Sequence, residues 1–181
     1  MGVLIAIAKI HVPQFMQKRK LEMLFKATAD AFQVATIPIK ELSYDESLKM
    51  YAQFTRAQAE RAIQKGEELK VRPRLFQNAF QIGRQIKEDF NINSLEEAMK
   101  MGSIIYRSLN IDFQGQPGGN VFIKRCFFSA YYSNKVCRLI SSLDAGLLTG
   151  LSGGGKLSFF QRITEGDECC RAYLESPGGL K

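Results

Sequence analysis

The residues of this chain best suited to chemistry lie in its last third: the cysteines Cys126, Cys137, Cys169 and Cys170, and Asp144. A thiol attacks only as its thiolate, which needs a cation, a metal or a helix N-terminus close by. Lys124, Arg125, Arg162 and Arg171 are available for that role. Asp144 falls in the middle of an apolar helical stretch, where Asp is a poor helix former and a buried carboxylate needs partners. Arg162 or the backbone amides of a nearby turn are the expected ones. Cys137, Ser141 and Asp144 stand at i, i+4 and i+7, which places them along one side of a single helix. Structural readings stand beside these: an aspartate tying helix to hairpin, and small apolar cysteines filling a core.

The same spacings exclude other chemistry. Zinc sites pair cysteines two to four residues apart, but here the steps are eleven, thirty-two and one. No metal site is expected, and nothing in the motifs calls for a cofactor. His11, the only histidine, is remote in sequence, so a Ser-His-Asp or Cys-His pair has no base at hand. Gly150-x-x-Gly153-Gly154-Gly155-Lys156 follows a helix and precedes a strand, the reverse of a phosphate-binding loop, and reads as a helix stop. Tyr131-Tyr132 sits at a strand-to-helix turn and could line a pocket.

The elements that must position these residues follow from periodicity. From Gln14, Leu21, Leu24, Phe25, Thr28 and Phe32 recur at helical spacing. Ser43-Tyr44-Asp45-Glu46 is a capping box that opens a helix running to Gly66, and Ser94-Leu95-Glu96-Glu97 is a second. Pro73 is expected at the start of the helix between them. Gln114–Asn120 is a turn region and Val121–Phe128 a strand. Ser133 caps one helix over residues 134–149, with Val136, Ile140, Leu143 and Leu147 as its buried stripe. Leu157–Thr164 is a strand with Phe159 and Arg162 on opposite faces. Residues 165–168 turn it back, and residues 169–174 pair antiparallel. Alternation there puts Cys169 and Cys170 on opposite sides. The fold class is therefore α+β: N-terminal helices followed by strand, helix and hairpin with a short antiparallel sheet. The expectation is one domain over 1–181, with a helical lead-in over 1–112 and the sheet with one helix over 113–176.

Composition is that of a folded globular domain, 45% hydrophobic and 24% charged. The net charge of +7 comes mostly from the first forty residues, with Lys18-Arg19-Lys20 the one basic run. Elsewhere basic residues alternate with acids, a solvated surface rather than a nucleic-acid stripe. Lys18-Arg19-Lys20 suits a membrane surface or an acidic partner, but a solvated helix face is the more common explanation. The apolar opening Met1–Ala8 is too short to span a bilayer and lacks the flanks of a signal peptide. Free thiols and a cytoplasmic location are expected, with no nucleic acid and no membrane span among the partners.

The run Cys126-Phe127-Phe128-Ser129-Ala130-Tyr131-Tyr132, the helix with Cys137 and Asp144, and Leu157-x-Phe159-x-x-Arg162-x-Thr164-x-Gly166-Asp167-x-x-Cys170 together resemble the L-2-amino-thiazoline-4-carboxylic acid hydrolase family. That family is itself similar here to small-molecule-binding domains of the vinyl-reductase type. The resemblance covers about residues 120–175, and Arg171 departs from it where relatives often carry an acid. It implies a hydrolase acting on a C–N bond, with Asp144 orienting an amidine nitrogen and Cys126 or Cys170 attacking or assisting. The alternative it implies is a non-catalytic domain that binds or senses a small molecule. It carries Arg162, Thr164 and Asp167 into the candidate ligand contacts, beside Tyr131, Cys137 and Ser141. Cys170, by its position in the motif, is the member of the cysteine pair expected to face Asp144. The oligomeric state stays open, a homodimer being the commonest symmetric assembly.

Overall fold

Two glycine-bearing helices form the centre of the molecule. The computed structural model describes residues 14–39 and 41–175. Within them the chain forms α1 (Gln14–Phe32), α2 (Tyr44–Gln64), α3 (Glu68–Asp89) and α4 (Leu95–Arg107). Strands β1 (Ile111–Gly115) and β2 (Asn120–Cys126) follow, then a 3₁₀ turn at Phe127–Ala130. Helices α5 (Asn134–Ile140) and α6 (Ser142–Ser152), β3 (Leu157–Gln161), a 3₁₀ turn at Ile163–Glu165 and β4 (Cys170–Leu174) complete it. The fold is α+β, its four strands antiparallel in the order β1-β2-β4-β3. Among the described residues no helix is long and apolar enough to cross a membrane. The N-terminal apolar stretch, His11 and the Pro177-Gly178-Gly179 tail lie outside the described residues.

Local chemistry sets the helix starts. Ser43 accepts from the Glu46 N–H while the Glu46 carboxylate accepts from the Ser43 N–H, the full capping box. Ser94 likewise accepts from the Glu97 N–H, but the Glu97 carboxylate reaches one residue further back, to the Asn93 N–H at 2.8 Å.

Helix α3 corrects the expected start at Pro73. Lys70 and Val71 both donate to the Glu67 carbonyl, so the helix is established earlier and Pro73 lies inside it. Pro73 is exposed and the neighbouring Leu69 is 86% exposed. The carbonyl that Pro73 cannot pair therefore faces solvent, which lowers the usual cost of an internal proline.

Helices α3 and α6 cross at backbone contact. A Cβ on Gly146 would lie 2.1 Å from the Phe76 carbonyl oxygen, one on Gly150 2.4 Å from that of Phe80, and one on Gly83 2.2 Å from that of Leu147. Only glycine permits such an approach. Two further corrections concern α6 and β3. The single helix expected over 134–149 is broken at Ser141, whose hydroxyl donates back to the Arg138 carbonyl at 3.3 Å. Such serine back-bonding bends helices. The strand expected to reach Thr164 stops at Gln161, with an irregular register against β4 between Phe159 and Gln161. The Asp167 carboxylate accepts from the Arg162 N–H at 2.8 Å, and Gly166 adopts φ +97°, so the chain coils into the 3₁₀ turn. Strand β1 adds an edge not anticipated from the sequence.

One sheet face turns inward, with Val121, Ile123, Leu157, Cys170, Ala172 and Leu174 buried. The other presents Phe160, 64% exposed, and Tyr173, 42% exposed.

Candidate functional site

Beside the α3–α6 crossing the layers part around a partly open cavity of about 150 Å³. Its walls come from α1, α3, α4 and α6, the inner sheet face and the turn after β2. A largely apolar cavity of that size accommodates a single ring. Ile82, Ile86, Ile105, Leu143 and Leu147 supply much of the apolar lining.

Asp144 is the acid on this wall. Its carboxyl lies beneath the molecular surface yet faces the open space of the cavity. The Tyr106 hydroxyl donates to Oδ1 at 2.8 Å. Burial pushes the carboxyl up to about 6, against the opposing pull of that hydrogen bond and of the Arg162 charge. The expected direct partner was Arg162 or a turn amide; the observed one is a tyrosine from α4, with Arg162 acting through space. Tyr106 is itself buried, stacked on Phe113 at 4.6 Å, and held protonated well above its ordinary range, first by burial and then by Asp144. It is therefore a fixed donor.

The thiols are arranged around the same space. Cys126, Cys137 and Cys170 line the cavity, and Cys169 does not. Burial pushes Cys126 up to about 12 and also raises Cys170, whose sulfur accepts from the Ile163 N–H at 3.4 Å. Both are thiols, not thiolates, at neutral pH. Among the described residues no group of His, Cys, Asp and Glu side chains is placed to hold a metal ion.

Arg162 also faces the cavity, contrary to the strand alternation that set it opposite Phe159. The register irregularity and the 3₁₀ turn swing it round, and its guanidinium lies 4.2 Å from the centre of the Phe159 ring. Ser141 and Thr164 are on the wall as well, and the Thr164 hydroxyl is buried without a hydrogen-bond partner among the described residues. Two of the expected contacts fall elsewhere. Tyr131 packs on the Phe127 ring at 5.2 Å, and Asp167 holds the turn through Arg162 N–H and Gln161 Nε2, so neither lines the cavity.

Several cavity residues went unnoticed in the sequence. Lys20 lies at the α1 wall, and burial lowers its pKa; only its place in a helix whose inner stripe includes Leu24 hinted at this. Tyr51 was missed too; it forms an aromatic wall with Tyr132, which the sequence already suggests for a pocket, their hydroxyls tied to Thr28 and Thr55 at 2.9 and 2.5 Å. No spacing rule links residues so far apart. No family model matches the chain, and no curated protein matches it either.

Proposed function

We propose that this chain is a small-molecule-binding domain that encloses a slim, mostly apolar ligand in the cavity between α1, α3, α4, α6 and the sheet. The observation that carries the reading is the largely apolar cavity on whose wall a few polar residues, Asp144, Arg162 and Thr164, lie. Such concave sites with sparse polar anchors are the usual form of ligand pockets. This is the non-catalytic alternative of the resemblance described above. Burial favours it over covalent chemistry, because Cys126 and Cys170 are held protonated.

A C–N hydrolase remains the second reading, and one observation favours it. A carboxyl with its pKa near 6 is suited to general acid–base work on an amidine.

Native mass spectrometry of the purified protein tests the first reading. A bound small molecule is expected, and Leu147→Trp, which fills the cavity, should expel it. A ligand retained at full occupancy in Leu147→Trp would place the site elsewhere. Asp144→Asn separates the two readings: binding kept with turnover of a 2-aminothiazoline lost means hydrolysis. No turnover in either protein leaves binding alone. Cys126→Ser should leave ligand binding intact.

A further inference from the structure

We infer that the cavity selects a monoanion, a carboxylate on a slim apolar body, with Arg162 receiving the charge and Lys20 adding positive potential at the α1 wall. The inference rests on the binding reading above and names its ligand class.

The charges on the wall are unbalanced. Among the described residues Lys20 and Arg162 are its cations, and Asp144 is its one carboxylate. Asp144 is already engaged by Tyr106. Lys20 has no ion pair and no hydrogen bond among the described residues, although it is partly buried. A desolvated ammonium without a counter-charge is costly, and an anion at the site relieves that cost.

Arg162 is under-committed in the same way. Its side chain is only 13% exposed. Its acidic neighbour Glu165 gives both carboxylate oxygens to Arg138, at 2.7 and 3.0 Å, and stays 3.7 Å from Arg162 Nε. Nη1 meets only the Cys137 sulfur, at 3.8 Å. Thus a guanidinium with five N–H donors has no hydrogen bond to an oxygen among the described residues, while buried donors ordinarily find one. Phe159 beneath it fixes the plane of the fork. A carboxylate matches that fork with two parallel hydrogen bonds. Thr164, whose hydroxyl has no partner among the described residues, lies two residues along and lines the same space. A cationic ligand would instead meet two positive groups and one carboxylate that Tyr106 already engages.

The experiment compares three probes of one shape on the wild-type chain at pH 7: 3-phenylpropanoate, 3-phenylpropanamide and 3-phenylpropylamine. Binding is followed by titration calorimetry and saturation-transfer NMR. The acid is expected to bind at least about tenfold more tightly than the amide, the scale of a hydrogen bond to a charged group, and the amine most weakly. In Arg162→Gln the acid and amide should converge to within about twofold, and Arg162→Lys should keep part of the preference. Lys20→Gln should reduce it only about two- to threefold.

An amide that binds as well as the acid, or an amine that binds best, overturns the anion assignment and leaves the cavity as a ligand site. Failure of all three probes overturns the binding reading with it. Should Arg162→Gln prove unfolded by circular dichroism, the wild-type ranking and Arg162→Lys still decide.

Discussion

Helix α6 shows two faces built on opposite principles. On one, Gly146 and Gly150 strip away every side-chain atom so that the α3 backbone comes into contact. On the other, Leu143, Asp144 and Leu147 border open space. The same helix pair supplies both, since Ala79, Ile82 and Ile86 of α3 also line the cavity. The closed face has no slack, because a main-chain oxygen cannot turn aside as a side chain can. The open face borders groups whose pairing is incomplete: a buried carboxyl that titrates at about 6, a guanidinium with no hydrogen bond to an oxygen among the described residues, and a hydroxyl without a partner among them. Rigidity on one side of α6 is what lets the other side keep an unfilled, polar-studded hollow from collapsing.

The sharpest way to break this contrast is to add one carbon to the closed face. Gly146→Ala places a Cβ 2.1 Å from the Phe76 carbonyl oxygen. Helix propensity favours alanine by about 1 kcal/mol, yet the clash should dominate and destabilise by about 3 kcal/mol or more. Urea titration measures it, with Gly118→Ala as the control, since nothing lies within 4 Å of a Cβ there. A neutral Gly146→Ala would mean that the helices slide apart freely and the frame is not rigid.

The open face answers to pH instead. Asp144 titrates at about 6 when folded against an ordinary 3.8. Across that window the folded state holds a proton that the unfolded chain has released. Stability from this group is therefore full at low pH, falls as pH rises through the window and is lowest above about 6. Each unit is worth about 1.4 kcal/mol, so the ionised carboxyl costs up to about 3 kcal/mol at pH 7.5. Asp144→Asn keeps an acceptor for Tyr106 and carries no charge. It should be more stable than wild type by up to that amount at pH 7.5 and nearly equal to it at pH 4. Equal stabilities at both pH values would show that the carboxyl ionises without penalty.

Tyr106→Phe tests the donor alone, since the ring stack on Phe113 survives. Loss of a hydrogen bond to a charged carboxylate should cost about 2 kcal/mol at pH 7.5, and less at pH 4, where the carboxyl is neutral. The midpoint of the stability–pH curve should move upward, a shift that a merely structural tyrosine would not produce.

Legibility from sequence divides along the same line. The residues of one short stretch, Cys126, Cys137, Ser141 and Asp144, were drawn together by helical spacing and by the resemblance, and all line the cavity. The break at Ser141 left them there because the chain bends without losing its helical sense: Ala145 still donates to the Ser141 carbonyl. Arg162 was expected beside Asp144 and does line the cavity; what failed was the strict alternation that set it opposite Phe159, because the register shift there depends on how β4 pairs. Tyr106 and Lys20 were missed because they reach Asp144's cavity from helices about forty and well over a hundred residues away in the chain. Nothing local to either position encodes that meeting. The glycines Gly83, Gly146 and Gly150 show the same limit, since each alone reads as a weak point in a helix, and only the crossing explains all three.

Lys20→Met gives the smallest effect and sharpens the comparison at its margin. The aliphatic stem of Lys20 already packs along the α1 wall, and methionine keeps most of that contact. What changes is a partly buried ammonium with no ion pair among the described residues, its pKa lowered by burial. Removing an uncompensated charge should leave the unliganded protein unchanged or more stable by a few tenths of a kcal/mol, as for most surface changes. Thermal melts at low and high salt measure this. If Lys20 were instead part of the closed framework, as Gly146 is, its loss would destabilise the fold at every salt concentration, and the open face would no longer be the place where unspent charge resides.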